Sequence, residues 1–152
     1  MKFFATICAF GAAASAAASS VSVSYDTVYD NAAGSMSTVA CSDGSNGLIT
    51  KYGYKTFDAV PGYPNIGGSS TIPSWNAATC GQCFKVTYKD KSIFVTALDT
   101  SPTGLNLSKA AMNKLTNNQA TQLGRVTANM KKVDVSKCGL RPANRRSIEW
   151  EG

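Results

Sequence analysis

Two cysteines stand three apart in Thr79-Cys80-Gly81-Gln82-Cys83-Phe84. A pair at that spacing does redox chemistry when it opens a helix in a βαβ setting. Here a strand-like run, Phe84 to Leu98, follows directly, so a redox role is not expected. Zinc would need a second pair with matching spacing, and there is none. The chain has no histidine, which removes Ser-His-Asp triads, Cys-His pairs and histidine-based metal sites. No metal and no cofactor are expected.

The carboxylates are equally sparse. Between Val21 and Leu140 there is no glutamate, and the aspartates are Asp26, Asp30, Asp43, Asp58, Asp90, Asp99 and Asp134. Glycoside hydrolysis normally needs two carboxyls flanking one bond. Asp99 is the best placed, where a buried strand runs into a loop; Asp43 and Asp58 could partner it, but no spacing brings them to it. The competing reading is that each aspartate caps a turn. A binding surface is easier to build. Tyr25, Tyr29, Tyr52, Tyr54, Tyr63 and Trp75 lie among Asn, Asp, Ser and Gly. Aromatic faces stack on sugar rings while amides and carboxylates take hydroxyls. The alternative is that most of these rings are core with wet polar tips.

The elements that must hold these residues can be read around the cysteines. Residues 1–18 form a secretory signal: Lys2, an apolar run from Phe3 to Phe10, then Ala16-Ala17-Ala18 for cleavage. Cys8 leaves with it, and an even number of thiols in a secreted chain favours disulfides. In an extended chain Cys80 and Cys83 point to opposite sides, so each is better placed to reach a distant partner than the other. Cys41–Cys80 with Cys83–Cys138 is the pairing favoured here, though four thiols allow three pairings and the sequence leaves the choice open. No later apolar run can span a bilayer, so a soluble, released product is expected.

Val21, Val23 and Tyr25 alternate as in a strand, and Met36 to Cys41 reads as another. Ser42 to Gly47 is turn chemistry, and Pro61 to Gly68 a stiff loop. Phe84, Val86 and Tyr88 pair with Ile93, Val95 and Ala97 in a hairpin across Lys89-Asp90-Lys91. Asp99 to Gly104 is a loop. Ser108 caps a helix with Ala110, Ala111, Met112 and Leu115 on its apolar side. That cap role competes with the glycosylation sequon Asn106-Leu107-Ser108. A second short helix is expected from Asn118 to Leu123, stopped by Gly124. Arg125 to Val135 returns to strand. Short strands with one or two short helices predict a small closed β-barrel forming one domain. The net charge is +6, but the lysines are scattered, which argues against nucleic acid as a partner.

Several segments together resemble one family. Val21-Ser22-Val23-Ser24-Tyr25-Asp26, Val39-Ala40-Cys41-Ser42-Asp43-Gly44 with Asn46-Gly47-Leu48, Val60-Pro61-Gly62-Tyr63-Pro64-Asn65-Ile66-Gly67-Gly68, Cys80-Gly81-Gln82-Cys83 and Cys138 fall in the order seen in the cerato-platanins, small secreted fungal proteins. The resemblance covers residues 21–140 and implies a mainly β fold: a six-stranded double-psi β-barrel with the disulfides Cys41–Cys80 and Cys83–Cys138. It implies a non-enzymatic binder of chitin and N-acetylglucosamine oligomers, loosening cellulose as expansins do and provoking plant defence. Secretion, to the medium or the fungal cell wall, is implied with it. The family's groove aspartate corresponds to Asp99. Expansins carry a histidine just ahead of that aspartate, where this chain has Ala97.

The expected carbohydrate site is therefore Asp99 with Asn46, Tyr63 and Asn65, and with Tyr25 and Asp26 on the rim. The expected partners are chitin or N-acetylglucosamine oligomers, cellulose and a receptor on the plant side, met by a monomer. The rival functions are a weak glycoside hydrolase using Asp99, and a surface-active interaction protein that binds sugar incidentally. Residues 141–152 are charged and depart from the family pattern; a disordered tail is expected there.

Overall fold

A computed structural model describes residues 17–141. Most of the expected signal peptide and nearly all of the expected tail lie outside them. Six strands close into a barrel: β1 (Ser19–Tyr25), β2 (Ile66–Ser69), β3 (Cys83–Tyr88), β4 (Lys91–Thr100), β5 (Leu105–Leu107) and β6 (Arg125–Val133), in the order β1-β5-β2-β4-β3-β6. The β1·β5 and β2·β4 pairs are parallel and the other four antiparallel. Closure leaves no sheet edge open to another chain.

The expected period-two strands form for the expected reason. In β6, Val126, Ala128 and Met130 are buried while Arg125, Thr127 and Asn129 are exposed. Phe84, Val86 and Val95 are buried with them, and Val23 of β1, the partner of Val126, joins them. The β3–β4 hairpin turns at Lys89, whose φ is +53°. Helix α1 (Leu48–Tyr52) was not expected; α2 (Lys109–Thr116) and α3 (Ala120–Leu123) were, although α3 starts two residues late because Asn117 and Asn118 are both left-handed. Ser108 caps α2 as expected, its Oγ accepting from the Ala111 N–H at 3.0 Å. Both disulfides, Cys41–Cys80 and Cys83–Cys138, are formed.

Four segments differ from expectation. Met36 to Cys41 is not a strand: Met36–Thr38 is a turn of 3-10 helix, because the Ser35 hydroxyl accepts from the Ser37 N–H and caps it. The stiff loop ends at Asn65, since Ile66 to Ser69 form β2. Its glycines mark close approach. A Cβ on Gly67 would lie 2.3 Å from the Asn106 carbonyl oxygen, and one on Gly68 would lie 2.2 Å from that of Thr100. Asp99 and Thr100 are the last residues of β4, and β5 follows the loop with only Leu105 and Leu107 buried around Asn106. The last strand stops at Val133, where the Asp134 carboxylate accepts from the Ser136 N–H and starts a 3-10 turn, Val135–Cys138.

Candidate functional site: a carboxylate at the barrel rim

Asp99 is the last residue but one of the longest strand, half-buried, beside Gly68 of β2. The missing side chain at Gly68 keeps that flank narrow. One Asp99 oxygen, Oδ2, accepts from the Tyr29 hydroxyl at 2.9 Å. The other, Oδ1, accepts from the backbone N–H of Ala40 at 3.1 Å and from that of Thr100 at 2.8 Å. Tyr29 is buried, its ring tilted against Phe57 at 6.0 Å between centroids. Burial first, and then the charge of Asp99, push its phenol above the ordinary 10.0, with Asp26 adding to the effect. Tyr29 therefore stays protonated and keeps donating to Asp99.

Asp26 arrives with the same element. It caps the 3-10 turn Thr27–Asp30 by accepting from the Val28 N–H at 3.0 Å, which also leaves Val28 53 % exposed. Tyr25 ends β1, half-buried against the core. Asp99 and Asp26 thus both act on the buried Tyr29 hydroxyl, with the exposed Val28 one residue before it.

Tyr63, Asn65 and Asn46 make no hydrogen bond to Asp99 among the described residues. Tyr63 donates its hydroxyl to the Asp30 carbonyl at 2.5 Å. Burial raises its phenol as well, followed by the charges of Asp30 and Asp58. Asp30 in turn accepts from the N–H groups of Lys109 and Ala110 at 2.8 and 2.9 Å and fixes the start of α2. Asn65 hands its carbonyl to the Thr96 N–H, while its side-chain Oδ1 is buried with no hydrogen-bond partner among the described residues. Asn46 is tied to Asn76, its backbone N–H donating to Oδ1 at 2.8 Å and its Nδ2 to the carbonyl at 3.0 Å.

That last cluster reaches the Asp99 corner through a single residue. Ala40 gives its N–H to Asp99 and receives the Asn76 N–H on its carbonyl at 3.2 Å. Next to Asn76, the Trp75 indole donates to Asp43 Oδ1 at 2.7 Å. This bond, and the weaker one from the Ser42 hydroxyl, hold the Asp43 carboxyl below its ordinary 3.8. Of the six aromatic residues that could have formed a surface, only Trp75 is exposed, at 57 %. Tyr52 and Tyr54 stack on each other at 5.2 Å, and the Tyr52 hydroxyl is bound to the Arg141 carbonyl. Sequence reasoning missed the roles of Tyr29, Ala40 and Asn76, because none of them is near Asp99 in the chain.

A closed six-stranded barrel stapled by two cystines, with a polar and aromatic rim, is the class of protein these features define. The cerato-platanin family pattern matches residues 21–140, and the chain belongs to the cerato-platanin family. It is 52 % identical over 118 residues to an allergen of Aspergillus fumigatus, covering 78 % of this chain and 76 % of that one. Its fold matches the crystal structure of cerato-platanin 2 from M. perniciosa with a TM-score of 0.78 and 41 % identity, over 80 % of this chain and all (100 %) of the other. It also matches the solution structure of the fungal elicitor cerato-platanin, with a TM-score of 0.70 and 42 % identity over 78 % and 96 % of the two chains.

Proposed function

We propose that this is a secreted, non-catalytic carbohydrate-binding protein that takes chitin or N-acetylglucosamine oligomers at the Asp99 corner. The observation that carries the reading is the state of Asp99. Its two oxygens face three donors, from Tyr29, Ala40 and Thr100, so the carboxylate is fixed as an acceptor at the rim. A fixed acceptor, with the exposed Val28 one residue from its Tyr29 partner, suits a ring of hydroxyls and an amide N–H. Glycoside hydrolysis normally needs a second carboxyl flanking the same bond, and the hydrogen bonds of Asp99 run to a phenol and two backbone N–H groups. Binding one strand of a polymer in place of its neighbours would loosen chain packing without breaking a bond. Elicitation of plant defence by the released protein, through a plant-side receptor, belongs to the same reading.

The test is a titration of the mature protein with chitin oligomers, followed by amide chemical shifts. Shifts are expected in Asp26 to Tyr29, Ala40 and Asp99, and Asp99→Asn weakens them. Parallel incubation with chitin and cellulose is expected to release no soluble reducing ends. Sustained release that Asp99→Asn abolishes would replace the binder by the hydrolase. Oligomer-induced shifts confined to other faces would remove Asp99 from the site.

A further inference from the structure

The exposed indole of Trp75 is held far more firmly than an incidental surface tryptophan needs to be. Its Nε1–H is bound to Asp43. Its neighbour Asn76 is locked by the three bonds to Ala40 and Asn46, with φ at +58° and its side chain filling the space over Gly44. Five residues past Trp75, Cys80 is bridged to Cys41, next to Ala40. The ring therefore stands at a fixed place with its faces largely in water. Holding it there costs side-chain freedom without burying the ring.

We propose that Trp75 is a stacking platform for a pyranose ring of the same oligosaccharide chain that engages Asp99. This rests on the carbohydrate reading above and extends it along the surface. Three features favour a sugar. The indole is exposed and its N–H is already anchored to Asp43, so a ring laid on it forfeits less side-chain freedom than on an untied indole. Asp43 is exposed, and both side-chain donors it meets, Trp75 and Ser42, are bound by Oδ1, which leaves acceptor capacity on the carboxylate at the edge of the platform for a hydroxyl or acetamido N–H. Finally, the residue next to Trp75 is linked through Ala40 to the Asp99 corner. Asp99 Oδ1 and the Asn76 nitrogen are separated by the Ala40 residue and one hydrogen bond on each side, at most about 10 Å. A short oligosaccharide segment that engages Asp99 would lay one of its further rings on the indole.

The experiment uses the mature chain carrying Trp150→Phe, so that Trp75 is the remaining tryptophan. Chitobiose and chitohexaose are titrated against this protein and against Trp75→Ala, Trp75→Phe, Asp43→Ala and Asp99→Asn in the same background, by indole emission where it persists and by calorimetry throughout. Chitohexaose is expected to shift the Trp75 emission. Trp75→Ala is expected to weaken chitohexaose about two- to tenfold, the worth of one aromatic contact, with Trp75→Phe recovering part of it. Asp43→Ala is expected to weaken it in the same direction, and Asp99→Asn to weaken both oligomers. If chitohexaose binds Trp75→Ala as it binds the parent, while Asp99→Asn loses it, the platform is overturned and the Asp99 reading stands. If the parent binds neither oligomer, both are overturned. Unchanged thermal midpoints of Trp75→Ala and Trp75→Phe exclude misfolding as the cause of a loss.

Discussion

Asp99 stitches three parts of the chain together, and that is the first thing to perturb. Replacing it by alanine strips an acceptor from the Tyr29 hydroxyl, the Ala40 N–H and the Thr100 N–H. Thr100 is exposed and water can replace the loss; Tyr29 is buried and Ala40 partly so. Leaving a buried donor unpaired costs about 1–3 kcal/mol each, so Asp99→Ala should destabilise by about 2–5 kcal/mol. In a domain of this size that lowers the thermal midpoint by roughly 10–20 °C. Asp99→Asn keeps one oxygen for the backbone donors and offers its amide to the Tyr29 oxygen, so it should lose only about 1 kcal/mol. Tyr29→Phe removes a single bond to a charged group, worth about 1.5–3 kcal/mol. The double variant Asp99→Ala with Tyr29→Phe should then lose less than the two single losses combined, with a coupling of about 1–2 kcal/mol by urea unfolding. Additivity within about 0.5 kcal/mol would refute the stitch. This arithmetic also makes Asp99→Asn, and not Asp99→Ala, the right variant for binding.

The other expectations are independent of that one. Because the folded pKa of Tyr29 lies above the unfolded value of 10.0, its contribution is complete below that pH and is lost as pH rises past it. Urea midpoints should therefore fall between about pH 9 and 11, and fall less steeply in Tyr29→Phe; equal slopes would contradict the shift. Removing Cys83–Cys138, which spans 55 residues, or Cys41–Cys80, which spans 39, should each cost about 4 kcal/mol in the chain-entropy model, measured by unfolding of paired Cys→Ala variants. Gly67→Ala and Gly68→Ala each drive a methyl into a backbone carbonyl and should cost about 3 kcal/mol or more, seen as lost thermal midpoint or lost folded yield.

What could be read in advance follows from how local each cause is. The β3–β4 hairpin and β6 carry their burial pattern within a few residues, and Ser108 announces α2. Strand β2 hides because glycine there serves close packing between β4 and β5, while in a sequence Gly-Gly signals a turn. Three-residue β5 is too short to show a period. Met36 to Cys41 looked extended, but Ser35 offers the backbone a closer partner. The alternation of Cys80 and Cys83 favours distant partners and leaves the pairing unsettled; the pairing preferred there, the one the family resemblance implies, is the one formed. Asp99 stood out at a strand end. Its partners Tyr29 and Ala40 lie 70 and 59 residues away, so no motif could join them.

The two cystines divide the chain in a particular way. One links Cys41 to Cys80 and the other Cys83 to Cys138, so their spans follow one another without overlap, separated by Gly81 and Gln82. A melted but oxidised chain is therefore a figure of eight, two lobes meeting at a two-residue waist. The waist leads straight into β3. Cooling such a chain returns it to a search with both loops already closed, in which β2 of the first lobe has still to find β4 and β5 of the second.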